Sequence, residues 1–75
     1  MKVSVEFCMQ WNYAPKAASF AQELFEKVST KIEKLELIPS SGGVFEVEVD
    51  GEIIHSKKET GVFPNLDEIL KTLNI

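Results

Sequence analysis

One side chain in this sequence can act both as a nucleophile and as a redox centre, the thiol of Cys8. It is the only cysteine in the chain, so the chain can neither close an internal disulfide nor supply a cysteine-rich zinc cluster. As a thiolate, Cys8 would attack disulfides and form mixed disulfides with other thiols. A lone cysteine in a small protein is more often a buried apolar side chain, and the residue type alone leaves both interpretations open.

Aromatic, small and cationic residues elsewhere could line a binding site beside this thiol. Trp11 and Tyr13 follow Cys8 closely and predict either an exposed recognition patch or a cover over the edge of the core. Two later segments could contribute to such a site. Ser41-Gly42-Gly43 has a glycine pair that permits unusual backbone shapes, and Ser56-Lys57 supplies a hydroxyl and a cation that could attract carboxylates. His55 has neither a carboxylate nor a thiol beside it in sequence, which favours a structural role over general-base chemistry.

Composition narrows the class of protein. The chain has 75 residues, 44% of them apolar, which is enough for one compact domain over residues 1–75. Eight lysines oppose twelve acidic residues, and the net charge of −4 argues against nucleic acid as a partner. Neither a secretory leader nor a membrane-spanning apolar run is visible, so we expect a soluble, cytoplasmic protein without a membrane partner. We interpret the alternating carboxylates of residues 46–50 as solvated, and predict no metal site.

The hydrophobic pattern predicts the elements that position these residues. Apolar residues alternate with polar ones in the strands 2–7, 32–38, 45–50 and 52–56. Apolar residues at helical spacing predict a helix over 15–28 and a shorter one after the N-cap Asn65. Asp50-Gly51 is typical of a type I′ hairpin turn, whereas residues 8–14 and 57–63 predict loops.

The element order β-α-β-β-β-α predicts an α/β fold, an α+β two-layer sandwich. The strands have one apolar face, so both helices should cover one face of a four-stranded mixed sheet in the order 2-1-3-4. This order matches a minimal version of the thioredoxin-like fold. A ferredoxin-like sandwich would instead have its second helix before the last strand. The topology gathers Cys8, Trp11, Tyr13 and the segments 40–43 and 55–58 at one sheet edge, where ligands of α/β sheets tend to bind.

Three blocks of the sequence resemble a known family; they are Phe7-Cys8-Met9-Gln10-Trp11-Asn12-Tyr13 with Pro15-Lys16-Ala17, Ile38-Pro39-Ser40-Ser41-Gly42-Gly43-Val44-Phe45-Glu46-Val47, and Asp50-Gly51-Glu52 through His55-Ser56-Lys57-Lys58 to Gly61-Val62-Phe63-Pro64. Together they are similar to the selenoprotein W-like proteins of the Rdx family, to which selenoproteins T and H are related. The resemblance implies a thioredoxin-like fold and a thiol redox role. Glutathione, as a co-substrate, and protein thiols are the implied counterparts, and no bound cofactor is implied.

The sequence departs from the family motif at its second position. That motif is Cys-x-x-Cys or Cys-x-x-selenocysteine after the first strand, and here Trp11 stands where the second reactive residue would be. The chain alone therefore cannot run an intramolecular dithiol–disulfide cycle, and any redox cycle must pass through a mixed disulfide. Whether such a thiol oxidoreductase, lacking a resolving cysteine, turns over as an enzyme stays open.

Two main hypotheses follow. In the first, Cys8 is the reactive residue of a thiol redox protein and forms mixed disulfides with glutathione or partner proteins. The partner would be bordered by Trp11, Tyr13, Ser41, Gly42, Gly43, Ser56 and Lys57. In the second, the chain is a non-catalytic protein-binding module that has lost the redox pair. A homodimer linked through Cys8 is a third, weaker alternative.

Overall fold

A four-stranded mixed sheet in the order β2-β1-β3-β4 organises the chain. The computed structural model describes residues 1–75, with the elements β1 Lys2–Cys8, α1 Ala14–Val28, a 3-10 turn Ser29–Lys31, β2 Lys34–Ser40, β3 Phe45–Val49, β4 Glu52–Ser56, α2 Lys57–Thr60 and α3 Leu66–Thr72. β1 and β2 are parallel, β3 is antiparallel to β1, and β4 is antiparallel to β3. The predicted fold class and strand order are confirmed.

The core lies on one face of this sheet, under α1 and α3. Because side chains alternate along a strand, the apolar residues of β1 and β3 all point into one cluster with the stripes of the two helices; its members are Val3, Val5, Phe7, Ala17, Phe20, Leu24, Val28, Phe45, Val47, Val49 and Ile69. Burying an aliphatic or aromatic side chain of this kind contributes about 1.5–3 kcal/mol. Both helices therefore cover the same face, as predicted.

The second strand is shifted from its predicted position. It begins at Lys34, because the 3-10 turn occupies the residues after α1, and it runs through Pro39 to Ser40. The Ser40 carbonyl accepts a hydrogen bond from the Met9 N–H at 3.0 Å, so the next residue back, Pro39, turns its ring nitrogen toward the free edge of the sheet. Proline is tolerated there because no ladder hydrogen bond is lost. Leu37, expected to point inward, is 39% exposed because this edge strand lies at the margin of the helical layer.

Side-chain caps shape the segment after β4. Residues 57–60, predicted as loop, form the short helix α2, because the Ser56 hydroxyl accepts from the Glu59 N–H and Gly61 ends the turn at φ 78°. Asn65 caps α3 by accepting from the Glu68 N–H at 3.2 Å, as its sequence predicts. At the other loop, Cys8 belongs to β1 and Ala14 to α1. None of the helices has both the length and the apolar character needed to span a membrane.

Candidate functional site

Cys8 is the last residue of β1 and is completely enclosed. Its backbone N–H donates to the Val44 carbonyl at 2.9 Å, and its carbonyl accepts from the Tyr13 N–H at 3.1 Å. The residue is 0% exposed, and its thiol is free. It lies outside the contiguous apolar cluster under the helices. A thiol in this position cannot meet an external disulfide until the chain around it moves.

The turn over residues 9–12 presents apolar side chains to solvent next to this buried thiol. The turn is closed by an Asn12 N–H to Met9 carbonyl bond of 3.1 Å, and Asn12 adopts a positive φ of 58°. Met9 is 53% exposed and Trp11 is 60% exposed. Both are large apolar side chains, and more than half of the surface of each faces solvent.

Trp11 packs its ring against the backbone of Gly43, at the end of the β2–β3 connection. A Cβ atom placed on Gly43 would lie 2.7 Å from Trp11 Cζ3, and Gly43 has a φ of +73°. Both the close approach and the positive φ favour glycine at this position. Gly43 thus contacts the Trp11 ring, and the next residue, Val44, accepts the hydrogen bond from the Cys8 N–H. The predicted convergence of Cys8, Trp11 and Gly43 corresponds to this arrangement.

Substituting this glycine is expected to disturb the turn measurably. Gly43→Ala should lower the free energy of unfolding by about 2–3 kcal/mol, because backbone strain of about 1 kcal/mol is joined by a clash with the Trp11 ring. Gly42→Ala is the matched control, since Gly42 has a similar φ of +78° but open space around its Cβ position. Urea unfolding and Trp11 fluorescence measure the difference. Equal losses in the two variants would show that the ring contact adds nothing.

Edge-to-face aromatic contacts connect Trp11 to the inner layer. The Trp11 and Tyr13 ring centroids are 6.1 Å apart, and those of Tyr13 and Phe63 are 4.8 Å apart. The Lys57 ammonium lies 5.6 Å from the Tyr13 centroid and 5.3 Å from that of Phe63. Lys57 is therefore brought to the aromatic side of the site, as the topology predicts. Tyr13 is half-buried, so the predicted exposed aromatic patch reduces to Trp11.

The remaining predicted site residues have other contacts. Ser56 is buried, and its hydroxyl donates to Glu46, whose second carboxylate oxygen accepts from the Lys57 N–H at 2.9 Å. Glu46 is therefore half-buried and holds β4 and α2 to β3, instead of being a solvated residue as predicted. The His55 Nε2 atom lies 2.9 Å from the Val62 carbonyl, which fits the structural role favoured for it. Ser41 and Gly42 are exposed in the turn before Gly43.

Sequence reasoning missed Met9 and Phe63 as parts of this region. Met9 lies in a turn without periodicity, so nothing in its neighbourhood distinguishes an exposed methionine from a buried one. Phe63 falls in a segment that the sequence predicts to be a polar loop, but it is half-buried against Tyr13 and Phe45. The Phe63-Pro64 pair before the helix cap is the signal that could have indicated an anchored segment.

The sheet order and the one-sided helical layer define a thioredoxin-like domain, in which a single cysteine ends the first strand. The sequence profile of the Rdx family matches residues 2–74, and the chain belongs to this family. Selenoprotein W from Danio rerio is 32% identical over 97% of this chain and 86% of its own length.

Solved structures agree with this assignment. A selenoprotein W-related protein from Vibrio cholerae is 32% identical and superposes with a TM-score of 0.86, covering 96% of this chain and 94% of its own. A protein from Bordetella parapertussis is 25% identical and superposes with a TM-score of 0.90, covering 97% of this chain and 92% of its own. Family membership supports a thioredoxin-like, redox-related function in general terms.

Proposed function

We propose that this chain is a thiol redox protein that forms mixed disulfides through Cys8, with glutathione or a cysteine of another protein as counterpart. The observation that supports this most is the position of Cys8 at the carboxyl end of β1. There its N–H donates to the Val44 carbonyl, next to the contact between Trp11 and Gly43. In α/β sheets this edge is where ligands bind.

The proposed reaction requires the turn over residues 9–12 to open, since Cys8 is 0% exposed. This turn is tied to the rest of the chain by few interactions, which include the Met9 N–H to Ser40 bond and the Trp11 ring on Gly43. Such short segments open locally at a lower free energy than the whole domain. Opening would expose the thiol beside the exposed Ser41-Gly42 turn, where a disulfide could approach.

Once exposed, Cys8 loses its proton to solvent and the thiolate attacks one sulfur of the partner disulfide. The Cys8–sulfur bond forms, the partner's disulfide breaks, and the second sulfur leaves as a thiolate that takes up a proton. No second cysteine is present to reverse the step internally, so an external thiol must release the adduct. With glutathione as counterpart, we place its carboxylates toward Lys57, whose ammonium has no carboxylate partner within the chain.

Mass spectrometry of the native protein treated with oxidised glutathione tests this proposal. We expect one glutathione adduct per chain on Cys8, reversible by reduced glutathione, and none on Cys8→Ser. The guanidinium-unfolded chain serves as the reference for full reactivity. A native protein that stays unmodified while the unfolded chain is fully modified would overturn the proposal. A product made only of disulfide-linked pairs would instead support the homodimer.

A second candidate function is a non-catalytic protein-binding module, and one observation favours it. Met9 and Trp11 are more than half exposed, while the thiol beside them is fully enclosed. Affinity capture with the Cys8→Ser and Trp11→Ala variants separates the two functions. A binding module keeps its partners in Cys8→Ser and loses them in Trp11→Ala, whereas a mixed-disulfide mechanism loses covalent partners in Cys8→Ser.

A further inference from the structure

A cleft on the helical side of the molecule lies apart from the Cys8 turn. It runs between the first half of α1 and the segment that leads into α3, and its volume is about 350 Å³. Phe20 and Phe45 are buried at its floor, while Phe63 and Leu66 are half-buried along one wall. This size is near the small end of the ~300–1,000 Å³ typical of small-molecule sites, and an apolar lining with few polar groups is their usual composition.

Uncompensated positive charge lies at one end of the cleft. The Lys16 ammonium, in the lining, is 4.6 Å from the Phe63 centroid, and the Lys57 ammonium is 5.3 Å from the same centroid. The chain's one salt bridge joins Lys34 to Glu36, so neither ammonium has a carboxylate partner. In a chain of net charge −4, the unpaired Lys16 ammonium beside an apolar cleft indicates a place where an anionic group would be stabilised.

Negative charge lies at the opposite end. Glu23 also lines the cleft, and it follows Lys16 by seven residues on α1, which corresponds to about 10 Å along the helix axis. A ligand with one carboxylate at the Lys16 end and an uncharged tail at the other end would not be repelled by Glu23. A ligand with carboxylates at both ends would be repelled by it, and a ligand with only an amine would be repelled at the Lys16 end.

We propose that this cleft binds a small monocarboxylate with an apolar body, in which the carboxylate meets Lys16 and the body packs against Phe20, Phe63 and Leu66. The Ser19 hydroxyl, also in the lining, offers the carboxylate a hydrogen-bond donor. Binding of the carboxylate to Lys16 requires neither Cys8 nor the turn over residues 9–12, and Lys57 lies near both this cleft and the proposed thiol site.

Nuclear magnetic resonance titration with 4-phenylbutyrate tests the site, with the neutral 4-phenylbutanamide as the matched probe. With 4-phenylbutyrate, we expect saturable chemical-shift changes at the backbone N–H groups of Lys16, Phe20, Phe63 and Leu66. We expect 4-phenylbutanamide to bind up to about tenfold more weakly, because one charge-assisted contact is lost. Lys16→Gln should lower the affinity for 4-phenylbutyrate by a similar factor and leave the affinity for 4-phenylbutanamide unchanged.

Lys27→Gln is the control, because Lys27 is an exposed lysine on the same helix outside the cleft. This variant also removes one positive charge, and it should change the affinity for neither probe. Equal binding of acid and amide, equal effects of the two lysine variants, or shifts that map outside the cleft would each overturn the proposal.

Discussion

In native buffer, Cys8 is expected to react with a chromogenic aromatic disulfide about 100-fold more slowly than in the unfolded chain. The Trp11→Ala substitution is expected to raise this native rate about tenfold. The slow native rate follows from the complete burial of Cys8. The effect of Trp11→Ala follows from the ring's contact with Gly43, which holds the turn over residues 9–12 against the β2–β3 connection. Removing the ring lowers the free energy of opening the turn.

Denaturant dependence distinguishes local opening from unfolding of the whole domain. If only the turn opens, the reaction rate should rise weakly with urea, since little surface is exposed. If the domain must unfold, the rate should follow the global unfolding equilibrium. Trp11→Phe is the control variant, because a smaller aromatic ring can keep part of the contact with Gly43. A native rate that follows global unfolding in both variants would contradict a gated thiol.

Phe45→Ala is expected to lower the free energy of unfolding by about 3–5 kcal/mol. Phe45 is 1% exposed and lies opposite Phe7 in the β1–β3 ladder. Its ring makes edge-to-face contacts with Phe20 at 6.2 Å and with Phe63 at 5.3 Å. A domain of this length has a total stability of about 4–11 kcal/mol, so the variant should be largely unfolded at elevated temperature.

Urea unfolding followed by circular dichroism measures this loss against Phe25→Ala. Phe25 lies on α1 but is 45% exposed, outside the buried stripe. Its truncation should cost less than about 1 kcal/mol, because little area is lost and alanine favours the helix. Similar losses in the two variants would contradict the position of the core between β3 and the helices.

Much of the fold was predictable because its determinants are local. Alternation defines β1 and β3, and the stripe of α1 defines the covered face of the sheet. The hairpin turn was predictable as well, since Asp50 and Gly51 adopt the positive φ values of 50° and 86° that a type I′ turn needs. Asn65 caps α3 because a short side-chain acceptor precedes the helical stripe.

The candidate site was less predictable because it depends on contacts between distant residues. The contact of Trp11 with Gly43 joins two turns that are far apart in sequence, and neither turn has a periodic pattern. Burial of Cys8 has the same origin. Strand alternation after Phe7 predicts that Cys8 lies on the solvated face of the sheet, yet Cys8 is 0% exposed, and the chain folds back so that the Tyr13 N–H donates to the Cys8 carbonyl.

The free edge of β2 bears on how this protein behaves at high concentration. Leu37 and Ile38 are each about two-fifths exposed on that strand, and an unpaired edge with apolar side chains can recruit further strands into an aggregate. Pro39 interrupts the row of donors that an incoming strand would need, immediately beside these two side chains. The missing N–H of Pro39 therefore disfavours fibril growth from this edge.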